Sequence, residues 1–200
     1  FSKKLNWVFN SCNTPDVIFE LHYNRGCKTE YEQACLQEAN NIAAKAHIVA
    51  KEAFLAGASE FEINHAYLKS VGMLESQMPY SNIIALNQNG ATLHYTKLST
   101  KRYESNYIHS FLIDAGVSFN GYAADITRTY SYRNDEFADL IKTFNAGQLK
   151  LVDGLKIGES YIDTQIAAHK MVSKALADYK FVNLSAEEIF DKKISQTFFP

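Results

Sequence analysis

The chain has 200 residues, with 20 Lys and Arg against 22 Asp and Glu, so its formal net charge is −2. Apolar residues make up 46% and charged residues 21%, with 9 glycines and 3 prolines. This composition excludes collagen-like, low-complexity and disordered classes. The near-neutral charge gives no drive toward nucleic acid or anionic membranes, and no apolar run reaches the ~18 residues of a membrane span. We therefore expect a globular domain that binds neither.

The N-terminal region resembles the end of a preceding segment. The chain begins with Phe rather than Met, without the apolar core of a signal peptide, so we expect a piece of a longer chain. A short amphipathic segment surrounds Trp7, and residues 17–19 (Val-Ile-Phe) predict a short strand. The cysteines are Cys12, Cys27 and Cys35. Because their number is odd and their spacing is not that of a metal site, we expect unpaired thiols in a reducing compartment.

Two helices are predicted next, each opened by a capping box. Thr29 with Glu32 begins the first, which Gly57 ends, and Ser59 with Glu62 begins the second. The link between them is short, so we expect the two helices to pack side by side. The helical histidines have no partner at metal-ligand spacing, and we expect them to be solvated. The histidines other than His94 are His22, His47, His65, His109 and His169.

Strands are predicted after Pro79. Residues 87–90 (Asn-Gln-Asn-Gly) favour a hairpin turn after the apolar run 81–86, with residues 91–96 as the returning strand. Residues 110–115 form a second apolar run, and residues 122–132 carry the β-branched and aromatic residues of a further strand. The residues between these last two runs, 116–121, end in Asn-Gly and indicate a turn.

A second pair of helices follows the strands. Helical spacing returns over residues 137–152 and again over 162–176, and residues 185–188 cap a short helix. The order of helix pair, hairpin-connected strands and helix pair predicts an α+β fold with a mainly antiparallel sheet. No second set of strands follows, so we expect the C-terminal part of the domain to be missing.

Two aspartates lie within predicted neighbouring strands. If residues 116–121 close a hairpin, Asp114 and Asp125 lie on one face, where opposed residues are ~4.5–5.5 Å apart. Two close carboxylates repel each other unless a proton or a cation neutralises them, and a carboxylate pair bridging two metal ions is a recurrent hydrolytic arrangement. Alternatively, Asp114 is a turn residue at a strand end and Asp125 pairs with Arg128.

A histidine also lies on the predicted returning strand. His94 is either a structural or surface residue, or a group that binds a substrate carbonyl or carries a proton near neutral pH. The sequence contains no phosphate-binding loop, no Gly-x-Ser-x-Gly elbow and no Cys/His cluster.

These motifs together resemble one family. Residues 89–96 (Asn-Gly-Ala-Thr-Leu-His-Tyr-Thr), 111–116 (Phe-Leu-Ile-Asp-Ala-Gly) and 120–130 (Asn-Gly-Tyr-Ala-Ala-Asp-Ile-Thr-Arg-Thr-Tyr) are similar to those of bacterial Xaa-Pro dipeptidases, or prolidases, some of which are known as organophosphorus acid anhydrolases. The resemblance covers residues 15–200. It implies a partial pita-bread fold of the creatinase/aminopeptidase type, with residues 1–27 as the end of an N-terminal domain and linker and residues 28–200 as the first part of the catalytic domain.

The resemblance also implies roles for individual residues. Asp114 and Asp125 would be metal ligands, with Asp125 bridging two divalent ions, expected to be Mn²⁺. His94 would face the substrate and take part in catalysis, Tyr80 would line the substrate pocket, and the Thr127 hydroxyl would orient a ligand carboxylate. The implied activity is metal-dependent hydrolysis of dipeptides with a C-terminal proline, with organophosphate triesters as a side activity, in a cytoplasmic, dimeric enzyme.

The family pattern is incomplete in this chain. Its remaining ligands are a histidine, within His-Gly-x-Gly-His, and two glutamates, and all of them would follow Pro200. We therefore expect weak or absent metal binding and no hydrolysis by these 200 residues alone. Two alternatives are a non-catalytic pita-bread module that binds peptides or proteins, and an amidinohydrolase of the creatinase type that works without metal. Neither would need both aspartates together with His94.

Overall fold

The computed structural model describes residues 12–198. In this part of the chain the helices are α1 (Pro15–Gly26), α2 (Glu30–Leu55), α3 (Glu60–Val71), α4 (Glu136–Asp153), α5 (Tyr161–Asp178), α6 (Ala186–Asp191) and α7 (Ser195–Phe198). The strands are β1 (Ile83–Leu86), β2 (Ser110–Ala115), β3 (Ser118–Phe119), β4 (Tyr122–Ala123) and β5 (Ile126–Ser131). The predicted segment around Trp7 lies outside the described residues.

The sheet is antiparallel, as predicted. Three strands pair in the order β1-β2-β5, and the short hairpin β3–β4 lies between β2 and β5 in sequence. The register places Asp114 of β2 opposite Ile83 of β1 on one side and opposite Thr127 of β5 on the other. The central strand therefore presents Asp114 between two neighbours.

Side-chain oxygens cap the helices that follow the predicted capping boxes. The Thr29 hydroxyl accepts from the backbone N–H of Glu32 (3.3 Å), and the Glu32 carboxylate accepts from the backbone N–H of Thr29 (2.7 Å). Ser59 with Glu62 and Ser185 with Glu188 repeat this arrangement. These reciprocal bonds satisfy N–H groups that have no intrahelical partner, so the three predicted helix starts are confirmed.

One face of the sheet packs against α2 and α3. Small residues recur along α2 at helical spacing, which lets the helix approach the strands closely. They are Ala39, Ala43, Ala46 and Ala50, and all are fully buried. Phe54 at the end of this stripe contacts Phe111 of β2, with ring centroids 5.2 Å apart. Because side chains alternate along a strand, β2 buries Phe111, Ile113 and Ala115 against the helices and turns Asp114 to the opposite face.

The C-terminal helices have their own apolar cluster. Val172 and Leu176 of α5 pack with Ile189 of α6, and all three are buried. No helix within residues 12–198 has the length and apolar character needed to cross a bilayer.

Two of the predicted strands are wrong. Residues 17–19 lie within α1, which Pro15 and Asp16 open with a residue and a charge suited to a helix N-terminus. Residues 91–96 form no strand, because residues 87–91 (Asn87–Ala91) form a 3₁₀ helix instead of a hairpin turn. The partner of β1 is β2.

The expected solvation of the helical histidines is wrong for two of them. His47 is 4% exposed and His169 is 9% exposed. His47 lies four residues after Ala43 and three before Ala50, so it belongs to the face of α2 that packs on the sheet. His22 and His65 are exposed.

The capping carboxylate of α3 should make the stability of the chain depend on pH. The Arg102 guanidinium and the Ser59 N–H lower the pKa of Glu62 from 4.5 to about 2. The stability that Glu62 contributes is therefore complete above the unfolded value of 4.5 and is lost as the pH falls toward 2. We expect urea unfolding at a series of pH values to show this loss and Glu62→Gln to flatten it. Arg102→Gln should flatten it in part, and a Glu62→Gln curve parallel to the wild type would contradict the prediction.

Candidate functional site

A cavity of about 360 Å³ opens on the face of the sheet that turns away from α2 and α3. Its lining brings together four of the five residues singled out from the sequence. The lining residues are Tyr80, Ser81, Ile83, His94, Thr96, Asp114 and Asp125. The fifth, Thr127, is exposed and lies directly across from Asp114 in the β2–β5 register.

The strand register brings the two aspartates to this cavity. Asp114 pairs with Thr127, and Asp125 precedes Thr127 by two residues, which places it on the same side of the chain. The expectation that Asp125 lies inside a strand is wrong: it lies in the break between β4 and β5. There the N–H of Ala124 donates to the carbonyl of Val117 (2.8 Å), which extends the β3–β4 ladder up to the break.

The aspartate carboxylates lack a cationic partner within residues 12–198. Neither Asp114 nor Asp125 belongs to any of the ion pairs found there. The alternative pairing of Asp125 with Arg128 is not formed, because the Arg128 guanidinium donates to the carbonyl of Thr127 (2.7 Å). Asp114 is half-buried, and its buried Oδ1 has no hydrogen-bond partner. Such an atom normally has a partner.

Tyr80 links the aspartates to the wall of the cavity. Its hydroxyl donates to Oδ1 of Asp125 (2.9 Å). Burial raises the pKa of Tyr80 well above its usual range, and the neighbouring carboxylates of Asp125 and Asp114 raise it further. The hydroxyl therefore stays protonated at physiological pH and acts as a donor.

The chemistry of this pair fits a divalent cation. An ionised carboxylate that loses water needs a hydrogen-bond donor or a cation, and carboxylate oxygens are ligands for Mg²⁺, Ca²⁺ and Mn²⁺. Within the described residues, no group of three or more His, Cys, Asp or Glu side chains could hold a metal ion. Asp114 and Asp125 can thus supply part of a coordination shell, and their role as ligands stays a prediction.

His94 lies on a turn at the mouth of the cavity, and its predicted strand position is wrong. Its side chain is exposed and its backbone adopts φ 53°. This left-handed conformation is uncommon for a residue with a side chain. Histidine is one of the residue types that adopt this conformation more readily than most others.

Sequence reasoning missed two residues that hold the backbone after Asp114. The His47 Nε2–H donates to the carbonyl of Ala115 (3.0 Å), and the Tyr67 hydroxyl donates to the carbonyl of Gly116 (3.1 Å). Burial lowers the pKa of His47, so the ring is neutral at pH 7. The spacing of the alanines in α2 places residue 47 on the buried face of the helix, so the burial of His47 could have been predicted from the sequence.

Comparison with known proteins gives a family match. Residues 34–192 match the model of metallopeptidase family M24. The chain is 46% identical over 192 residues to a Xaa-Pro dipeptidase of Colwellia psychrerythraea, covering 96% of this chain and 43% of the relative. It is 47% identical over 193 residues to a Xaa-Pro dipeptidase of Pseudoalteromonas translucida, with the same coverage. The chain therefore spans less than half the length of these relatives.

Solved structures with a similar fold include aminopeptidase P. The Escherichia coli enzyme with the inhibitor Pro-Leu superposes with a TM-score of 0.70 at 23% identity, over 84% of this chain and 38% of that one. Proline aminopeptidase P II from Yersinia pestis gives a TM-score of 0.67 at 22% identity, with the same coverage. At this identity the likeness shows the fold alone.

Proposed function

Because this chain belongs to metallopeptidase family M24, we propose that the protein containing it hydrolyses the peptide bond before a C-terminal proline in Xaa-Pro dipeptides. The relatives at 46–47% identity carry the name Xaa-Pro dipeptidase. Since the chain spans 43% of their length, the activity is proposed for a protein of that length.

The observation that carries this proposal is the meeting of two aspartates in one cavity. Both line it, and Oδ1 of Asp114 is buried without a partner. A non-catalytic binding module would gain nothing from two neighbouring carboxylates without a cationic partner, one of which has a buried oxygen that lacks a hydrogen bond. A site for divalent cations gives the pair a use.

Four residues that line the cavity, together with the neighbouring Thr127, would have a part in the proposed hydrolysis. Asp114 and Asp125 would hold divalent ions, and when bound these supply Lewis acidity and lower the pKa of a water molecule. Tyr80 donates to Asp125 and so orients that carboxylate. His94, exposed at the mouth, would hold the substrate or stabilise the oxyanion that develops on the scissile carbonyl. Thr127, across from Asp114, would orient a ligand carboxylate.

Several finer features belong to the same proposal. Mn²⁺ suits a site built from carboxylate oxygens. The phosphorus of a phosphotriester, like the carbonyl carbon of a peptide, is an electrophile that the water molecule with the lowered pKa could attack. This supports a side activity on organophosphates. We carry a dimeric state and a cytoplasmic location over from the family resemblance.

The 200-residue chain offers a direct test of the metal site. Two aspartates cannot complete two coordination shells, so we expect calorimetric titration with Mn²⁺ to give weak binding and an assay with Gly-Pro to give no turnover. Asp125→Asn should abolish the residual binding. Tight binding of two ions with turnover would contradict the proposal that ligands are missing.

The coding sequence beyond Pro200 tests the activity itself. We expect it to encode His-Gly-x-Gly-His followed by two glutamates, and a protein of the relatives' length to hydrolyse Gly-Pro with Mn²⁺. Loss of these ligands, with peptide binding retained, would favour the non-catalytic module. If the protein hydrolysed an amidino substrate, and this activity persisted after a chelator had removed metal ions, the result would favour an amidinohydrolase of the creatinase type.

A further inference from the structure

A buried glutamate lies beneath the turn that carries His94. Glu60 is the first residue of α3 and its side chain is completely buried. No ion pair within the described residues includes it. A buried carboxylate without a cation needs several hydrogen bonds to offset its lost hydration.

Four donors supply those bonds, and all four come from one segment of the chain. Oε1 of Glu60 accepts from the backbone N–H of Leu86 (2.8 Å) and from Nδ2 of Asn89 (2.7 Å). Oε2 accepts from the Tyr95 hydroxyl (2.7 Å) and from the backbone N–H of Ser99 (2.8 Å). An ionised carboxylate has about four lone-pair sites, so Glu60 is fully used.

These donors lie on both sides of His94. Leu86 and Asn89 precede it, and Tyr95 and Ser99 follow it. The segment between them has no strand ladder to hold it. Asn89 Nδ2 also donates to the Tyr95 hydroxyl (3.0 Å), which ties the two sides together.

Three further features strengthen this attachment. The N–H of Phe61, next to Glu60, donates to the carbonyl of Ser99 (3.1 Å), so α3 holds Ser99 by both its backbone groups. The start of α3 also favours a negative charge through the helix dipole. Burial and then the Glu60 carboxylate raise the pKa of Tyr95 to about 12, which keeps its hydroxyl a donor.

We propose that Glu60 is a positioning residue, which holds His94 at the mouth of the cavity by anchoring the turn on both sides. Tyr95 is buried beside His94 and Leu93 is exposed on its other side, so the anchored Tyr95 fixes the direction in which the chain presents the imidazole. The proposal rests on the substrate-facing role of His94 proposed above. It assigns to α3 a part in the site that the capping pattern of Ser59 and Glu62 does not suggest.

The test uses the 200-residue chain labelled with ¹⁵N. In the wild type we expect the backbone N–H of His94 to have an order parameter near the rigid value of ~0.85. Glu60→Gln replaces one acceptor by a donor, so we expect this value to fall below ~0.6 and amide exchange at Leu86 and Ser99 to rise by roughly tenfold or more. Tyr95→Phe removes one of the four hydrogen bonds. It should lower the order parameter at His94 and raise amide exchange at Leu86 and Ser99 by smaller amounts.

The matched control is Glu62→Gln, the same change two residues further along α3. It removes the negative charge at the cap and the ion pair with Arg102, but we expect it to leave His94, Leu86 and Ser99 as in the wild type. The amide of His65, exposed on α3, should not change in any variant. If Glu60→Gln fails to fold, the order parameter at His94 in Tyr95→Phe tests the proposal in its place.

Two results would overturn the proposal. One is an order parameter at His94 that Glu60→Gln, or Tyr95→Phe in its place, leaves unchanged. The other is an effect of Glu62→Gln on His94 as large as that of Glu60→Gln. Neither measurement needs a metal or a substrate, so a failure of the proposed hydrolysis would be seen separately.

Discussion

Asp114→Asn is expected to reduce hydrolysis strongly without lowering the free energy of unfolding. In the metal-free 200-residue chain, urea unfolding should give a free energy that is unchanged or raised by up to about 1 kcal/mol, because the change removes a half-buried negative charge that has no cationic partner. In a protein of the relatives' length, hydrolysis of Gly-Pro with Mn²⁺ should fall by more than about 100-fold. Loss of a group that only orients a ligand already costs about 10–100-fold.

The control for this prediction is Asp153→Asn, at the exposed end of α4. It makes the same chemical change far from the cavity in sequence and should leave hydrolysis unaltered. If Asp114 served the fold alone, Asn would destabilise the metal-free chain by about 1–3 kcal/mol, the cost of breaking a satisfied buried polar interaction. That result, with hydrolysis retained, would remove Asp114 from the metal site.

The parts of the fold that the sequence predicts correctly depend on short-range interactions. The three capping boxes join residues three positions apart, and the alanine stripe of α2 needs only the helical period. The α+β class follows from the order of these elements, and the family match and the aminopeptidase P structures confirm both the class and the pita-bread expectation.

The error at residues 91–96 arises where polar side chains bond to distant parts of the chain. Asn87 and Asn89 favour a local hairpin by their composition. In the structure, however, Oδ1 of Asn87 accepts from the backbone N–H of His109 (2.8 Å), and its Nδ2 donates to the carbonyl of Tyr107 (2.9 Å). Asn89 donates to Glu60. Turn propensity cannot anticipate partners some twenty residues or more away, so the predicted returning strand at residues 91–96 was wrong.

In the candidate site, too, the features set by nearby residues were predicted and the long-range contacts were not. The apolar strand around Asp114 and the spacing to Asp125 pointed to a shared face, and the two side chains do line one cavity. What the sequence did not indicate were the partners that hold the backbone around the site. His47 and Tyr67 donate to the carbonyls that follow Asp114, and Glu60 accepts from the segment on both sides of His94. Such contacts join residues that are far apart in the chain. They can be predicted only once the pairing of the strands and the packing of the helices are known, and a single sequence does not give these.

Gly116→Ala is expected to be among the most destabilising single-methyl additions in this chain. A Cβ at residue 116 would lie 2.0 Å from the carbonyl oxygen of Ala124 and 2.9 Å from Cε1 of Tyr80. The Ala124 carbonyl is backbone and directly precedes Asp125, so the two aspartate segments must move apart. Urea unfolding should show a loss of at least about 2–3 kcal/mol, and titration should show weaker Mn²⁺ binding.

Gly147→Ala is the matched control, because its Cβ would lie just as close to a neighbour. There the atoms are Sδ and Cγ of the Met171 side chain, at 2.2 and 2.8 Å, rather than backbone. Methionine has three rotatable bonds and can turn away, and alanine favours a helix over glycine by about 1 kcal/mol. We therefore expect Gly147→Ala to change the free energy of unfolding by less than about 1 kcal/mol. If both substitutions cost the same, close backbone approach is not what requires glycine at residue 116, and the segments bearing Asp114 and Asp125 can meet without it.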